Sequence, residues 1–318
     1  MNTVVYLVRH GTTDYNTEFK YQGRDDIPLN DLGLAQGALL TDFFKDIPID
    51  AGYTSPLIRA RQTLDFALGD RKGKVPVFVE PGIAEIDQGI VEGRTIQEVN
   101  ILFPAFSDAI NYAPGKADAP RGEKAVDVYD RMHRSLLAMA KAHPGKTIVA
   151  ASHGFAIQTF LNYATGVAAE DMKPCVPDNV AVSRFIYDDD WKLHVDYIGE
   201  CSHLTEEYRC NYDWDVVERT QCLLLYDSRL ANAKARLDKL KNALIKAGRG
   251  FAERDIAREP LRREEKEALL LKENGKLILG PVFENGPAPE GEDPLAACIV
   301  TRDKVTQEVN QGGEIKDD

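Results

Sequence analysis

Val4-Val5-Tyr6-Leu7-Val8-Arg9-His10-Gly11-Thr12-Thr13 is the stretch on which the reading turns. Five apolar, β-favouring residues end abruptly in Arg-His-Gly. A continuous apolar run of this length reads as a strand buried on both faces. The cation and the imidazole then stand at the carboxyl end of a strand, where open α/β sheets bind their ligands. Gly11 permits a tight turn and close approach of the backbone to a ligand.

A second run repeats the pattern: Thr147-Ile148-Val149-Ala150-Ala151 ends in Ser152-His153-Gly154. If the two strands are parallel neighbours, both imidazoles meet in one crevice. Either histidine alone fits a core histidine; two at matching strand ends point to a site. Between them the chain alternates. Asn30 or Asp31 caps a helix to about Phe44, with Leu32, Ala35, Leu39 and Phe43 on one face. Residues 50–53 form a short strand. Ser55-Pro56 opens the next helix, Ser as N-cap, with Arg59 in its first turn. Residues 75–79 form a strand and 123–143 a helix. Residues 94–120, broken by Pro104, Pro114 and Pro120, are expected to hold short helices and a substrate-facing lid. A helix over 155–165 and a hairpin, 180–187 with 191–198, follow. This predicts an α/β, three-layer domain over residues 1–205, with a mostly parallel central sheet flanked by helices.

The motifs resemble those of the histidine phosphatase (phosphoglycerate mutase-like) superfamily, phosphatase subgroup. Leu7-Val8-Arg9-His10-Gly11-Thr12-Thr13 with Asn16 is similar to its RHG signature, and Gln22-Gly23 with Asp26, Pro28 and Leu29 to the following loop. Ser55 to Thr63 resembles the segment with its second phosphate arginine, and Ile83-Ala84-Glu85 with Glu92-Gly93 the segment with its acid. Gly122-Glu123 with Asp127 and Arg131 resembles the start of its long helix, Ser152-His153-Gly154 its second histidine, and Asn179, the hairpin and Ser202-His203-Leu204 its usual ending. The likeness spans about residues 1–205. It implies a phosphomonoesterase acting on a small phosphorylated metabolite through a phosphohistidine. His10 is then the nucleophile, which must be neutral, with its other nitrogen bound to a carbonyl. Arg9, Arg59 and His153 surround the phosphoryl oxygens, and a protonated His153 would be a charge-assisted donor. Glu85, with Asp87 and Glu92 as rivals nearby, protonates the leaving oxygen. Asn16, Gln22, Gly23 and Gly154 are further phosphate contacts. No cofactor and no metal are expected, because arginine and histidine carry the charge.

Mutase-type phosphoryl transfer is the alternative chemistry; the compact stretch between Glu85 and His153 favours hydrolysis. Tyr15, Tyr21, Arg24, Phe103, Phe106, Tyr112 and Arg121 fall in segments expected to border the pocket and suit a sugar or nucleotide phosphate. Arg61, His133, His143 and His194 read as structural, and Cys201, His203 and Cys210 match no zinc spacing.

The 318 residues carry a net charge of −12, which argues against nucleic acid and anionic membrane as partners. Five cysteines without a CxxC, an N-terminus that lacks a signal-peptide pattern, and no long apolar run give the expectation of a cytoplasmic protein with reduced thiols. Residues 206–318 read as a mainly helical extension. Leu223, Leu230, Leu237 and Leu244 recur every seven residues, with Tyr226, Ala233 and Leu240 between. Three arrangements remain open: a homodimer through residues 216–244, a helical hairpin with 262–273, or packing on the first domain. Residues 276–279 and 297–300 suggest two strands and 306–318 a frayed tail. A regulatory or binding module that works through this extension is the alternative function class.

Overall fold

The N-terminal apolar run is the strand on which the sheet is assembled. The computed structural model describes residues 2–210, 220–226, 228, 233–246, 250–255, 257 and 258. In chain order the elements are β1 (Thr3–Arg9), α1 (Asp14–Thr17), α2 (Asp31–Phe44), β2 (Ala51–Thr54), α3 (Ile58–Leu68), β3 (Val77–Val79), α4 (Ile96–Leu102), α5 (Pro104–Tyr112), α6 (Ala125–Ala142), β4 (Thr147–Ser152), α7 (Gly154–Ala164), β5 (Val182–Tyr187) and β6 (Leu193–Glu200). The sheet order is β3-β2-β4-β1-β5-β6. β3, β2, β4 and β1 run parallel, and β5 pairs antiparallel with β1 and β6. The mostly parallel sheet expected from the alternation is present, with the hairpin at one edge.

Parallel pairing sets Val8 opposite Ala151 and Arg9 opposite Ser152. His10 and His153 therefore leave adjacent strands at the same level. Val5, Leu7, Val8, Ile148, Val149 and Ala150 are fully buried, as central parallel strands covered on both faces require. Tyr6, Val8, Val149 and Ala151 pack on Leu40 and Phe44 of α2 and on Ala60, Leu64 and Leu68 of α3. α6 and α7 pack on each other and on β1, the third layer.

α2 begins where expected, with Asn30 Oδ1 accepting from the Gly33 amide at 3.0 Å. Its buried face is one position off the expected one: Gly33, Gln36, Gly37, Leu40 and Phe44, with Leu39 and Phe43 half-buried. Glycine explains the rotation. A Cβ on Gly33 would fall 2.1 Å from the Thr12 carbonyl oxygen, and one on Gly37 would fall 2.2 Å from the Phe66 ring. The helix packs through its smallest residues, which a count of apolar side chains does not see.

The described residues fall into two compact units. One holds the six-stranded sheet and takes the described residues up to Thr95 and from Ala105 to Cys210. The other takes Ile96–Pro104 with the described residues from Thr220 onward. In the second unit β7 (Thr220–Tyr226) and β8 (Gly250–Asp255) pair in parallel, and α8 (Ala233–Lys246) lies between them in sequence. The continuous heptad helix is thus corrected: Leu223 and Tyr226 lie on a strand, Leu237 on a helix. Leu223-Leu224 is fully buried, as an uninterrupted apolar run in a parallel strand should be. α4 packs on β7, and Glu98 and Arg254, both buried, pair at 3.6 Å. Residues 216–219, 229–232, 262–273, 276–279, 297–300 and 306–318, on which other expectations fell, lie outside the described residues. Among the described residues no helix is long and apolar enough to cross a membrane.

Candidate active site

Two histidine rings face each other past the ends of β1 and β4, with centroids 5.2 Å apart. Both are buried, at 2% and 0% exposure. His10 Nδ1–H donates to the Gly11 carbonyl at 2.7 Å. A carbonyl only accepts, so this bond fixes the tautomer and leaves Nε2 with its lone pair. Burial, and then the charges of Arg59 and Arg9, hold the His10 pKa well below the ordinary value of 6.5; the Gly11 carbonyl opposes them. The ring is neutral at neutral pH.

The main chain beside His10 is fixed from three sides. Its amide donates to the Ser152 carbonyl at 2.9 Å, and its own carbonyl accepts from Asn179 Nδ2 at 2.9 Å. The Gly11 amide donates to Thr63 Oγ1 at 3.0 Å. A Cβ on Gly11 would stand 2.9 Å from the Gly33 carbonyl oxygen, so the turn after the strand has no room for a larger residue.

His153 is held differently. The Leu57 amide donates to Ser55 Oγ at 3.1 Å, and Ser55 Oγ lies 2.6 Å from His153 Nε2. With the ring neutral, the hydroxyl donates to Nε2 and the proton resides on Nδ1, which has no hydrogen-bond partner. Burial, and then Arg59, His10, Arg24 and Arg131, push the His153 pKa well below 6.5. In the free site His153 is therefore a neutral donor. The role of Ser55 is corrected. α3 starts at Ile58 with Leu57 as its N-cap, two residues later than Ser-Pro suggests, so the Ser55 hydroxyl serves the histidine.

Arg59 is fully buried in the first turn of α3. Its Nη1 donates to the Asp25 carbonyl at 2.7 Å and its Nη2 to the Gly23 carbonyl at 2.8 Å, while Nε has no partner. Burial lowers its pKa to about 10, against the opposing charges of Glu85, Asp26, Asp25 and Glu92; it remains a cation at neutral pH. Gly23 contributes by backbone shape. Its φ is +48°, and a Cβ there would stand 2.0 Å from Glu92 Oε1. Asp26 Oδ1 accepts from the Ile58 amide at 2.6 Å, so the first amide of α3 is already engaged.

Arg9 donates from Nη1 to the Pro177 carbonyl at 2.6 Å, and its Nε has no partner. That Nε lies 3.2 Å from where a Cβ of Gly154 would stand. Arg9 Nε, Arg59 Nε and His153 Nδ1 are thus three buried donors without protein partners; the charges of both arginines act on His10, and the His153 ring stands 5.2 Å from it. Such an arrangement suits an anion with several oxygens.

Glu85, 8% exposed, sits at the start of α7. Its carboxylate accepts from Phe155 N at 3.2 Å, Ala156 N at 2.9 Å and Ile86 N at 3.0 Å. The positive end of α7 complements the acid. The loop beneath it is held by Arg131, which donates to the carbonyls of Gly82, Ala84 and Glu85 at 2.7–3.0 Å and pairs with Glu123 at 2.7 Å. Ser152 Oγ adds a bond to the Ile83 carbonyl at 2.7 Å. Glu92 is engaged by the amides of Arg24 and Gln88 at 2.7 and 3.0 Å.

Asn16 and Gln22 stand on the loop after β1. Asn16 Oδ1 accepts from the Thr13 amide at 3.1 Å, and Gln22 Oε1 from Thr13 Oγ1 at 3.0 Å. Of the expected pocket-bordering residues, the Tyr21 and Phe106 rings meet at a tilt with centroids 5.9 Å apart, Arg24 pairs with Glu123 at 3.5 Å, and Tyr112 is exposed. Four residues were given no site role from sequence: Ser55, Thr63, Arg131 and Asn179. All four stand inside the motif segments, which is their only signal in the sequence. Among the described residues no group of three or more His, Cys, Asp or Glu side chains is arranged to hold a metal ion.

The family model of the histidine phosphatase superfamily (branch 1) matches residues 5–197. Phosphoglycerate mutase-like protein 4 of Arabidopsis thaliana is 30% identical over 204 residues, 64% of this chain and 87% of that protein. The structure of Bacillus stearothermophilus YhfR superposes with a TM-score of 0.60 at 28% identity, covering 63% of this chain and 98% of that one. Entamoeba histolytica phosphoserine phosphatase in complex with 3-phosphoglyceric acid gives a TM-score of 0.55 at 28% identity, over 64% of this chain and all of that one.

Proposed function

Because the chain belongs to the histidine phosphatase superfamily, branch 1, we propose that it is a phosphomonoesterase that cleaves a small phosphorylated metabolite through a phosphohistidine on His10. The observation that carries this reading is the single imidazole lone pair, His10 Nε2, set among three unpartnered donors. Nε2 attacks phosphorus in line, and the bond to the leaving ester oxygen breaks. Arg9, Arg59 and His153 Nδ1–H stabilise the equatorial oxygens as charge builds on them. Glu85 gives its proton to the leaving alkoxide. It then takes a proton from the water that attacks the phosphohistidine, which releases inorganic phosphate and restores neutral His10.

Phosphoryl transfer of the mutase type is the second reading, favoured by the names of relatives such as the Arabidopsis protein. Hydrolysis is preferred because the stretch between Glu85 and His153 is compact, and the similar phosphoserine phosphatase supports that choice. Incubation with an aryl phosphate, and separately with 3-phosphoglycerate plus bisphosphoglycerate, decides between them. Hydrolysis predicts phosphate release from the aryl ester; isomerisation far outpacing phosphate release would overturn it.

A further inference from the structure

Residues 173–180 link the far end of α7 to β5 without regular structure until Val182. Pro174 and Pro177 lack amide protons, so this stretch cannot join a ladder as an ordinary strand. Its fixed points fall on alternate residues. The Lys173 amide donates to Asn162 Oδ1 at 2.8 Å, and Asn162 Nδ2 donates back to the Lys173 carbonyl at 3.0 Å. The Cys175 amide donates to Gln158 Oε1 at 2.8 Å. The Pro177 carbonyl accepts from Arg9 Nη1 at 2.6 Å, and Asn179 Nδ2 donates to the His10 carbonyl at 2.9 Å. The Val180 amide then reaches the Arg9 carbonyl at 3.2 Å.

Gln158 and Asn162 stand one turn apart on α7 and are 1% and 2% exposed. Apolar side chains would fill these places without the desolvation cost of a buried amide. What the amides add is register: each imitates the backbone partner that the segment lacks, and so fixes where Pro177 presents its carbonyl. α7 thereby reaches Arg9 twice, at its first residue, Gly154, and through this segment.

We propose that Gln158 and Asn162 are positioning residues for Arg9: by clamping Lys173 and Cys175 they set the Pro177 carbonyl, which turns the guanidinium so that its Nε edge faces the phosphate. This placement rests on the reading of Arg9 as a phosphate ligand.

A double-mutant cycle on the full chain tests it, with inorganic phosphate as the probe, titrated calorimetrically, and aryl phosphate turnover as the second readout. Arg9→Ala should weaken phosphate binding. Gln158→Leu should raise the phosphate Kd about tenfold, as expected for residues in one network, and lower kcat/KM by at least as much, because Arg9 also stabilises the charge that builds in the transition state. In the Arg9→Ala background, Gln158→Leu should change the Kd less than about twofold, because the group it positions is gone. If Gln158→Leu weakens binding equally in both backgrounds, or leaves the Kd unchanged, the positioning role is overturned. If Arg9→Ala itself leaves the Kd unchanged, the phosphate reading of Arg9 fails instead. Pro177→Gly loosens the same carbonyl without removing a buried polar group; the same cycle with it decides the matter should Gln158→Leu not fold.

Discussion

His10 and His153 end neighbouring parallel strands at the same level, yet their rings are held by opposite means. His10 is fixed from within its own turn, by the carbonyl of the next residue. His153 is fixed from another element, by the Ser55 hydroxyl at the head of α3. A carbonyl can only accept, so it turns His10 into a base with a free lone pair. The Ser55 hydroxyl accepts from Leu57 and has no other acceptor for its own proton, so that proton goes to Nε2 and His153 becomes a donor at Nδ1. Burial drives both rings to neutrality. Two chemically identical side chains in one dielectric acquire different roles from the partner of one ring nitrogen, Nδ1 in His10 and Nε2 in His153.

The largest test of this asymmetry is His10→Ala. Loss of the nucleophile should reduce kcat by about 10⁴-fold or more, and rapid-quench labelling should show no phosphoenzyme. His153→Ala removes a donor and leaves the nucleophile. It should cost about 10²–10³-fold, and a labelled phosphohistidine should still form in a single turnover. Equal losses, with no phosphoenzyme in either variant, would erase the distinction. Ser55→Ala should lower kcat/KM roughly tenfold, since loss of a partner that orients a histidine has effects of about that order. ¹⁵N shifts of the His153 ring should then show mixed tautomers, while His10 stays in one.

The smallest effect is on stability against pH. Both histidines have folded pKa values below the unfolded 6.5, so below 6.5 the unfolded chain binds protons that the native rings refuse. Stability is therefore full above about pH 6.5 and falls as pH drops through it towards the folded pKa, by up to about 1.4 kcal/mol per pH unit for each ring. Urea unfolding at pH 7.5 and 5.5 should show a smaller loss for His153→Ala than for the unaltered chain. An equal loss would mean that the buried ring takes its proton as readily as a free one.

Much of this site was legible because its chemistry ends apolar runs. Val4–Val8 and Ile148–Ala151 cannot be anything but buried, so the polar residues that close them must lie at a sheet margin. The positions of Arg59 and Glu85 followed from the order of motifs. Other features were hidden for physical reasons. The contact face of α2 is built from Gly33 and Gly37, which add nothing to a hydrophobic pattern. Ser55 looked like a cap because Ser-Pro often starts helices; only the nearness of His153, 98 residues away, gives the hydroxyl its partner. Arg131 holds the Glu85 loop by three carbonyls, and backbone oxygens leave no trace in sequence. In the second unit, heptad leucines coincided with a strand because Leu223-Leu224-Leu225 satisfies both patterns, and only burial on two faces separates them.

The place of β1 in the sheet bears on how the molecule comes into being. β1 is made first, yet its partners on either side are β4 and β5, residues 147–152 and 182–187. At ordinary synthesis rates the wait for β4 lasts roughly ten to thirty seconds. Throughout it an apolar strand has no edge to join and its Arg-His end has nothing to face. A chain cut short before β4 would carry His10 without His153 to face it. The pair of histidines is therefore completed only when the centre of the sheet closes around β1.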